Sequence, residues 1–271
     1  MLPLTIGACL LIPEIETHRD WLLSADRDVE LQDFITQEVL SGDWQSLVAS
    51  AKTALDGHTG RLGIHGPFRG LDIHNPDPEM GPLITKRFLC ALEVCAALGA
   101  TQIVLHSPFD LWYHQNRLSL PRVRERLQER VHTILGPVAK CAEDIGVTLV
   151  LENIEDVDPQ ERALLIDALG SPAIALSIDT GHAHLARYMS GAPPVDQFVR
   201  AAGSGLAHVH LQDVDGYADR HWAIGTGSIA WEAVFRALSE VEATPHLVLE
   251  LRDKADIPRS FAYLKAAGLA I

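Results

Sequence analysis

The chain has 271 residues, 47% of them hydrophobic, which is enough for a large buried core and fits either two small domains or one barrel-sized domain. Its 36 acidic and 22 basic residues leave a formal charge of −14, and the only basic stretch, Arg117–Arg130, reads as a solvated helix face; this balance disfavours a nucleic-acid partner. No uninterrupted run of about 18 apolar residues occurs, so no membrane span is expected.

The opening stretch, MLPLTIGACLLIPEIE, lacks a basic segment before its apolar residues, so no secretory leader is expected. Cys9, Cys90, Cys95 and Cys141 are scattered and form no C-x-x-C pair. That argues against a disulfide framework or a thiolate zinc site, and for a reducing, cytoplasmic setting.

Short apolar runs at 4–10, 28–34, 61–67, 101–107, 147–153, 173–179, 206–212 and 246–252 read as strands. Amphipathic helical patterns lie between them at 43–55, 81–98, 120–145, 159–169, 195–202 and 229–241, and a last one at 257–267 closes the chain. Eight strand–helix units of this spacing describe an α/β protein, a (β/α)8 TIM barrel running as one domain over 1–271. An open doubly wound sheet is the competing arrangement, but no G-x-G-x-x-G follows the first strand.

Polar residues close the apolar runs. His65 ends the third, His106 the fourth, Glu152 the fifth, Asp179 the sixth, His210 the seventh and Glu250 the eighth. In a barrel those ends share the C-terminal rim, where active sites sit. His182 follows Asp179 by three residues in DTGHAHL, and Asp219 and His221 come from the polar loop after the seventh strand. Gly225 and Gly227 follow, and glycines there let backbone approach a bound group. Neutral imidazoles and ionised carboxylates suit a transition metal, and histidine richness favours zinc or manganese over magnesium. One strand-end histidine is usually structural; six such residues converging on one rim make a site. His208 shares a strand face with His210 one layer deeper and is expected to pack behind it. His74 and His114, in loops after the third and fourth strands, are candidates for substrate contact.

The motifs His65-Gly-Pro, His106-Ser-Pro, Glu152-Asn153, Asp179-Thr-Gly-His182, His210-Leu-Gln-Asp213, Asp219-Arg-His221 and Gly225-Thr-Gly227, with Glu250 last, occur in that order. By them the chain resembles the xylose-isomerase-like barrel superfamily, which holds sugar isomerases and epimerases, inosose dehydratases and endonuclease IV. The resemblance implies one divalent ion on Glu152, Asp179, His210 and Glu250, with Glu152 and Glu250 also flanking the substrate and moving protons. The endonuclease branch adds His65, His106, His182, Asp219 and His221 and holds three zinc ions, so the expected content is one to three. Asn153 and Asp213, within the same motifs, are expected to support the ligands from behind.

Departures from the endonuclease pattern set the expectation. The loop HGPFRGLDIHNPDPE offers Phe68 and Arg69 and then turns acidic, where the nuclease carries an intercalating and DNA-facing loop. HSPFDLWYHQN offers Phe109, Trp112 and Tyr113 as an apolar wall against a sugar ring, and Arg220 is the nearest stand-in for the epimerases' substrate-binding arginine. The expected activity is isomerisation or epimerisation of a small sugar, sugar phosphate or cyclitol by proton transfer through an enediolate. The alternatives are an endonuclease IV-like multi-zinc phosphoesterase and a non-catalytic metal-binding barrel. The expected partner is a small-molecule substrate; oligomeric state is not legible.

Overall fold

In the computed structural model, which describes residues 4–271, every apolar run marked as a strand is one. The strands are β1 (Gly7–Leu10), β2 (Val29–Leu31), β3 (Leu62–His65), β4 (Gln102–His106), β5 (Thr148–Glu152), β6 (Ile174–Asp179), β7 (Leu206–Leu211) and β8 (His246–Leu249). They pair in parallel in sequence order, and β8 returns to β1, closing the barrel. The open doubly wound alternative is thereby excluded.

The helices are α1 (Ile15–Leu23), α2 (Gln37–Ser41), α3 (Trp44–Ala54), α4 (Met80–Leu98), α5 (Leu111–Asn116), α6 (Val123–Ile145), α7 (Gln160–Leu169), α8 (Thr180–Ser190), α9 (Val195–Ala202), α10 (Trp231–Glu240) and α11 (Ile257–Ala266). The seven expected helices fall within three residues of the sequence reading. Helices α1, α2, α5 and α8 were not foreseen. Three are short or follow their strand almost without a loop, and α8 begins on the residue after Asp179, so strand and helix patterns overlap there. Among the described residues, no helix is long and apolar enough to cross a membrane, and all four cysteines are free.

Strand register decides what faces what on the rim. His106 of β4 stands beside Glu152 of β5, and Asp179 of β6 beside His210 of β7. Side chains alternate along a strand, so His208 and His210 both enter the barrel while Val209 and Leu211 face the helices.

One ion pair ties the β4–β6 sector together. Arg162 of α7 is 1% exposed, the largest fully buried side chain, and its Nε lies 2.8 Å from Asp156 Oδ1. The same guanidinium donates to the carbonyls of Leu151 and Ser177, one residue from Glu152 on β5 and two from Asp179 on β6. Asp156 also accepts from Ser107 Oγ, just past His106 (3.0 Å). Removing one partner of a buried pair strands the other charge. Arg162→Met is therefore expected to cost about 3–5 kcal/mol in urea unfolding; a loss below about 1 kcal/mol, the range of an exposed pair, would contradict this role.

Candidate metal centre

The rim carries three adjoining groups of donors: His65, His106 and Glu152; Glu152, Asp179, His210 and Glu250; and His182, Asp219 and His221. Within each group one donor atom per residue lies within 4.8 Å of the others. The structure thus brings together all nine residues singled out as candidate ligands, and Glu152 belongs to two groups.

The strand ends do this by burial and register. Glu152 and Asp179 are 1% and 0% exposed, His210 is 0% and Glu250 8%, because each stands where a strand meets the interior of the rim. Asp179 has a second role as N-cap of α8: its Oδ1 accepts from the His182 backbone N–H (2.6 Å). The helix start therefore orients this carboxylate and favours its charge. Gln212 of the His210-Leu-Gln-Asp213 motif donates to both Asp179 oxygens (3.1 and 3.2 Å) and accepts from the His221 N–H (2.8 Å). Gly181 is glycine for this reason, since a Cβ there would lie 2.4 Å from the Gln212 amide carbon. Its role was not read from the sequence.

Three imidazoles are oriented alike. His65 Nδ1 contacts the Gly66 carbonyl (2.9 Å), His182 Nδ1 that of Asn153 (3.1 Å) and His221 Nδ1 that of Glu250 (3.0 Å). An N–H on Nδ1 satisfies each carbonyl and leaves the Nε2 lone pair to a ligand. The Nε2 atoms of these three and of His106 face carboxylates: His65 and His106 both stand 3.8 Å from Glu152 Oε2, while His182 and His221 stand 3.6 and 3.1 Å from Asp219. His221 holds this pose at a left-handed φ of 49°, sparsely populated for residues other than glycine.

Glu152 Oε2 is buried and has no hydrogen-bond partner. An unpaired buried carboxylate oxygen is costly, and an ion between it, His65 and His106 would satisfy it. The donor set of imidazole nitrogens and carboxylate oxygens would suit a divalent transition-metal ion. The residues present therefore fit a bound divalent ion.

The electrostatics agree. Burial would raise Glu152, but the surrounding His210, His182 and His106 hold it well below the usual carboxylate range. Burial lifts Asp179 to about 6; His182 opposes that and the carboxylates of Glu152 and Glu250 add to it. Burial would depress His221, but its hydrogen bond to Asp219 and the charges of Glu250 and Asp179 win and raise it to about 9. His182 is raised likewise against burial, by Asp179, Asp219 and Glu152. His106 goes the other way: burial pushes it down to about 3, only partly offset by Glu152.

The remaining candidates divide. Phe68 lines the cavity over the donors, with His65, His106, Glu152, Ile154 and Glu250, and stacks on His106 at 4.4 Å. Phe109 is buried and lines an adjoining cavity with His74, Asp72, Asp110 and Glu155. Trp112, Tyr113 and Arg220, expected to touch substrate, lie outside both cavities. Tyr113 is drawn outward because its hydroxyl donates to Glu161, which also pairs with Arg117 and Arg124. Trp112 is 59% exposed, and Arg220 is held by Asp215 (3.0 Å) over the rings of Tyr217 and Trp222. His114 lies against Arg117, away from the centre. Asn153 clasps the backbone of Asp179 from both sides, through Nδ2 to its carbonyl and Oδ1 from its N–H. Asp213 accepts from Val214, Gly225, Ile229 and Trp231 Nε1, so it shapes the loop after β7. Gly227 packs so closely on it that a Cβ would stand 2.3 Å from Asp213 Oδ1.

Residues 29–267 match the family model described as xylose isomerase-like TIM barrel, and the chain belongs to that family. An uncharacterized protein of Methanocaldococcus jannaschii is 27% identical over 213 residues, 74% of this chain and 68% of that one. A Thermus thermophilus protein, solved after soaking with ZnCl2, is 28% identical with a TM-score of 0.72, covering 97% of both chains. A D-tagatose 3-epimerase-like protein has a TM-score of 0.75 at 19% identity over 97% of this chain and 96% of its own, a shared fold.

His182 and His221 are both raised above the usual histidine range, so an ion entering the centre would have to displace their protons. Zinc affinity is expected to rise with pH up to about 9, where His221 loses its proton. Calorimetry in buffers of differing ionisation enthalpy should report protons released on binding. Affinity independent of pH would contradict this charge state.

Proposed function

We propose that the chain is a divalent-metal-dependent isomerase or epimerase acting on a small sugar, sugar phosphate or cyclitol. The observation that carries the reading is the pair of buried glutamates, Glu152 and Glu250, grouped with Asp179 and His210 under a cavity of about 310 Å³. That volume is at the small end for ligand sites and suits a small polyol. The epimerase-like fold neighbour and the zinc-soaked relative are in keeping with it.

A divalent ion on Glu152, Asp179, His210 and Glu250 would polarise a substrate carbonyl and offset negative charge developing beside it. The chain's own residues supply the rest. Glu152 is held ionised, as a base must be. It comes from β5 and Glu250 from the end of β8, so the two approach a bound substrate from separate parts of the rim, one to take a proton and the other to return it. Gln32 Nε2 donates to Glu250 Oε1 (2.7 Å) and fixes that carboxylate. Phe68, Ile35 and Ile154 line the cavity and exclude water from the carbon skeleton. We place the protein in a reducing cytoplasm, in keeping with its free cysteines.

A second reading, a multi-zinc phosphoesterase of the endonuclease IV type, draws on one observation: all three donor groups are formed side by side, and two of them share Glu152. The acidic lining beside Phe68, from Asp72, Asp110 and Glu155, weighs against a DNA backbone.

With the metal-saturated protein and a panel of ketoses and cyclitols, Glu152→Gln should lower exchange of substrate C–H with deuterated solvent by at least about 100-fold. Retained exchange would remove Glu152 as the base. Hydrolysis of abasic-site DNA or bis(p-nitrophenyl) phosphate, without any such exchange, would favour the phosphoesterase.

A further inference from the structure

Glu30 sits in the middle of β2, inside the barrel directly beneath the donor groups, and is 2% exposed. Its Oε1 lies 3.0 Å from His210 Nε2 and its Oε2 3.0 Å from His208 Nε2. Cys9 Sγ adds a contact of 3.4 Å to Oε1, and Ser177 Oγ holds the other ring nitrogen of His208 at 2.8 Å. No arginine or lysine is among the described partners of Glu30. Buried carboxylates normally carry such a partner or face a metal, so this one is held only by imidazole and thiol groups.

His210 is also turned the other way from three of the rim histidines. His65, His182 and His221 spend Nδ1 on a backbone carbonyl and turn Nε2 to the centre. His210 spends Nε2 on Glu30 and turns Nδ1 to the centre, 3.1 Å from Glu152 Oε1 and 3.4 Å from Glu250 Oε2. Its partner is a full negative charge, where the other three have a neutral carbonyl.

We propose that Glu30 is the positioning residue of the metal centre: it fixes the Nε2–H tautomer of His210, aims Nδ1 at the ion and makes that nitrogen a stronger donor. The inference rests on the reading that Glu152, Asp179, His210 and Glu250 hold a divalent ion. A carboxylate behind a ligating imidazole orients the ring and raises its basicity, and loss of such a partner weakens metal binding by about 10–100-fold. His208 Nε2, 3.0 Å from the second oxygen, flanks the carboxylate on its other side.

The test is zinc affinity of the full chain, measured by competition with a chromogenic chelator, for wild type, Glu30→Gln and Glu30→Leu. Glu30→Gln keeps the shape and a possible acceptor but removes the charge, and should bind zinc about 10–100-fold more weakly. Glu30→Leu, which also removes the acceptor, should bind at least as weakly. Thermal midpoints of the metal-free proteins show whether the variants fold. Independently of any variant, wild-type protein loaded with ¹¹³Cd and labelled with ¹⁵N-histidine should show His210 coupled to the metal through Nδ1, with a proton on Nε2. Affinity for Glu30→Gln within about threefold of wild type, or coupling through Nε2, would overturn the proposal. If wild type binds no divalent ion at all, the metal reading itself fails. If it binds one and only the variants disappoint, Glu30 alone loses its role.

Discussion

The constraint that shapes this molecule is the burial of like charges. Glu30, Glu152, Asp179 and Glu250 are each 8% exposed or less, and all lie within two residue layers of the barrel rim. Water cannot solvate them there, so their charge must be met by protons on neighbouring imidazoles or by a cation. In the metal-free centre the imidazoles do it: His182 and His210 are raised well above the usual histidine range, while Asp179 is pushed up towards neutrality. A divalent ion entering the centre would displace those protons and supply the counter-charge itself.

The surroundings serve to keep that arrangement rigid. Arg162 and Asp156 lock β5 to β6 from outside, while Asn153 clasps Asp179 and Gln212 joins Asp179 to His221 from behind. Glu30 does the same for His210 from below. Ligands on strand ends, with partners that are themselves buried, give a centre defined more tightly than one built on loops alone. The exceptions are His182, in the first turn of α8, and Asp219 and His221, which come from the loop after β7; in that loop Asp213 acts as the fixed point, gathering four donors.

Much of this was legible in the sequence, for a simple reason. An apolar run that ends in His, Glu or Asp announces both the strand and the rim, so His65, His106, Glu152, Asp179, His210 and Glu250 could be placed without coordinates. Glu30 was not found because it sits inside a run, between Val29 and Leu31, where it looks like an interruption. The signal was there: a carboxylate in the middle of a buried parallel strand demands a partner. Helix α8 was missed because its cap, Asp179, doubles as the strand's last residue. Trp112, Tyr113 and Arg220 were misplaced for a different reason. Tyr113 follows Glu161, which pairs with Arg117 and Arg124, and Arg220 follows Asp215, and no periodicity encodes such local pairs.

Whether the rim holds metal decides what this chain can catalyse. Elemental analysis of protein purified without chelator tests that most directly. At least one equivalent of zinc or manganese per chain, lost when Asp179 and His210 are replaced together by Asn and Gln, is the predicted result; about three equivalents would show that the outer histidines and Asp219 are ligands as well. A chain that folds, carries no divalent metal and takes up none on dialysis against zinc or manganese would contradict the account.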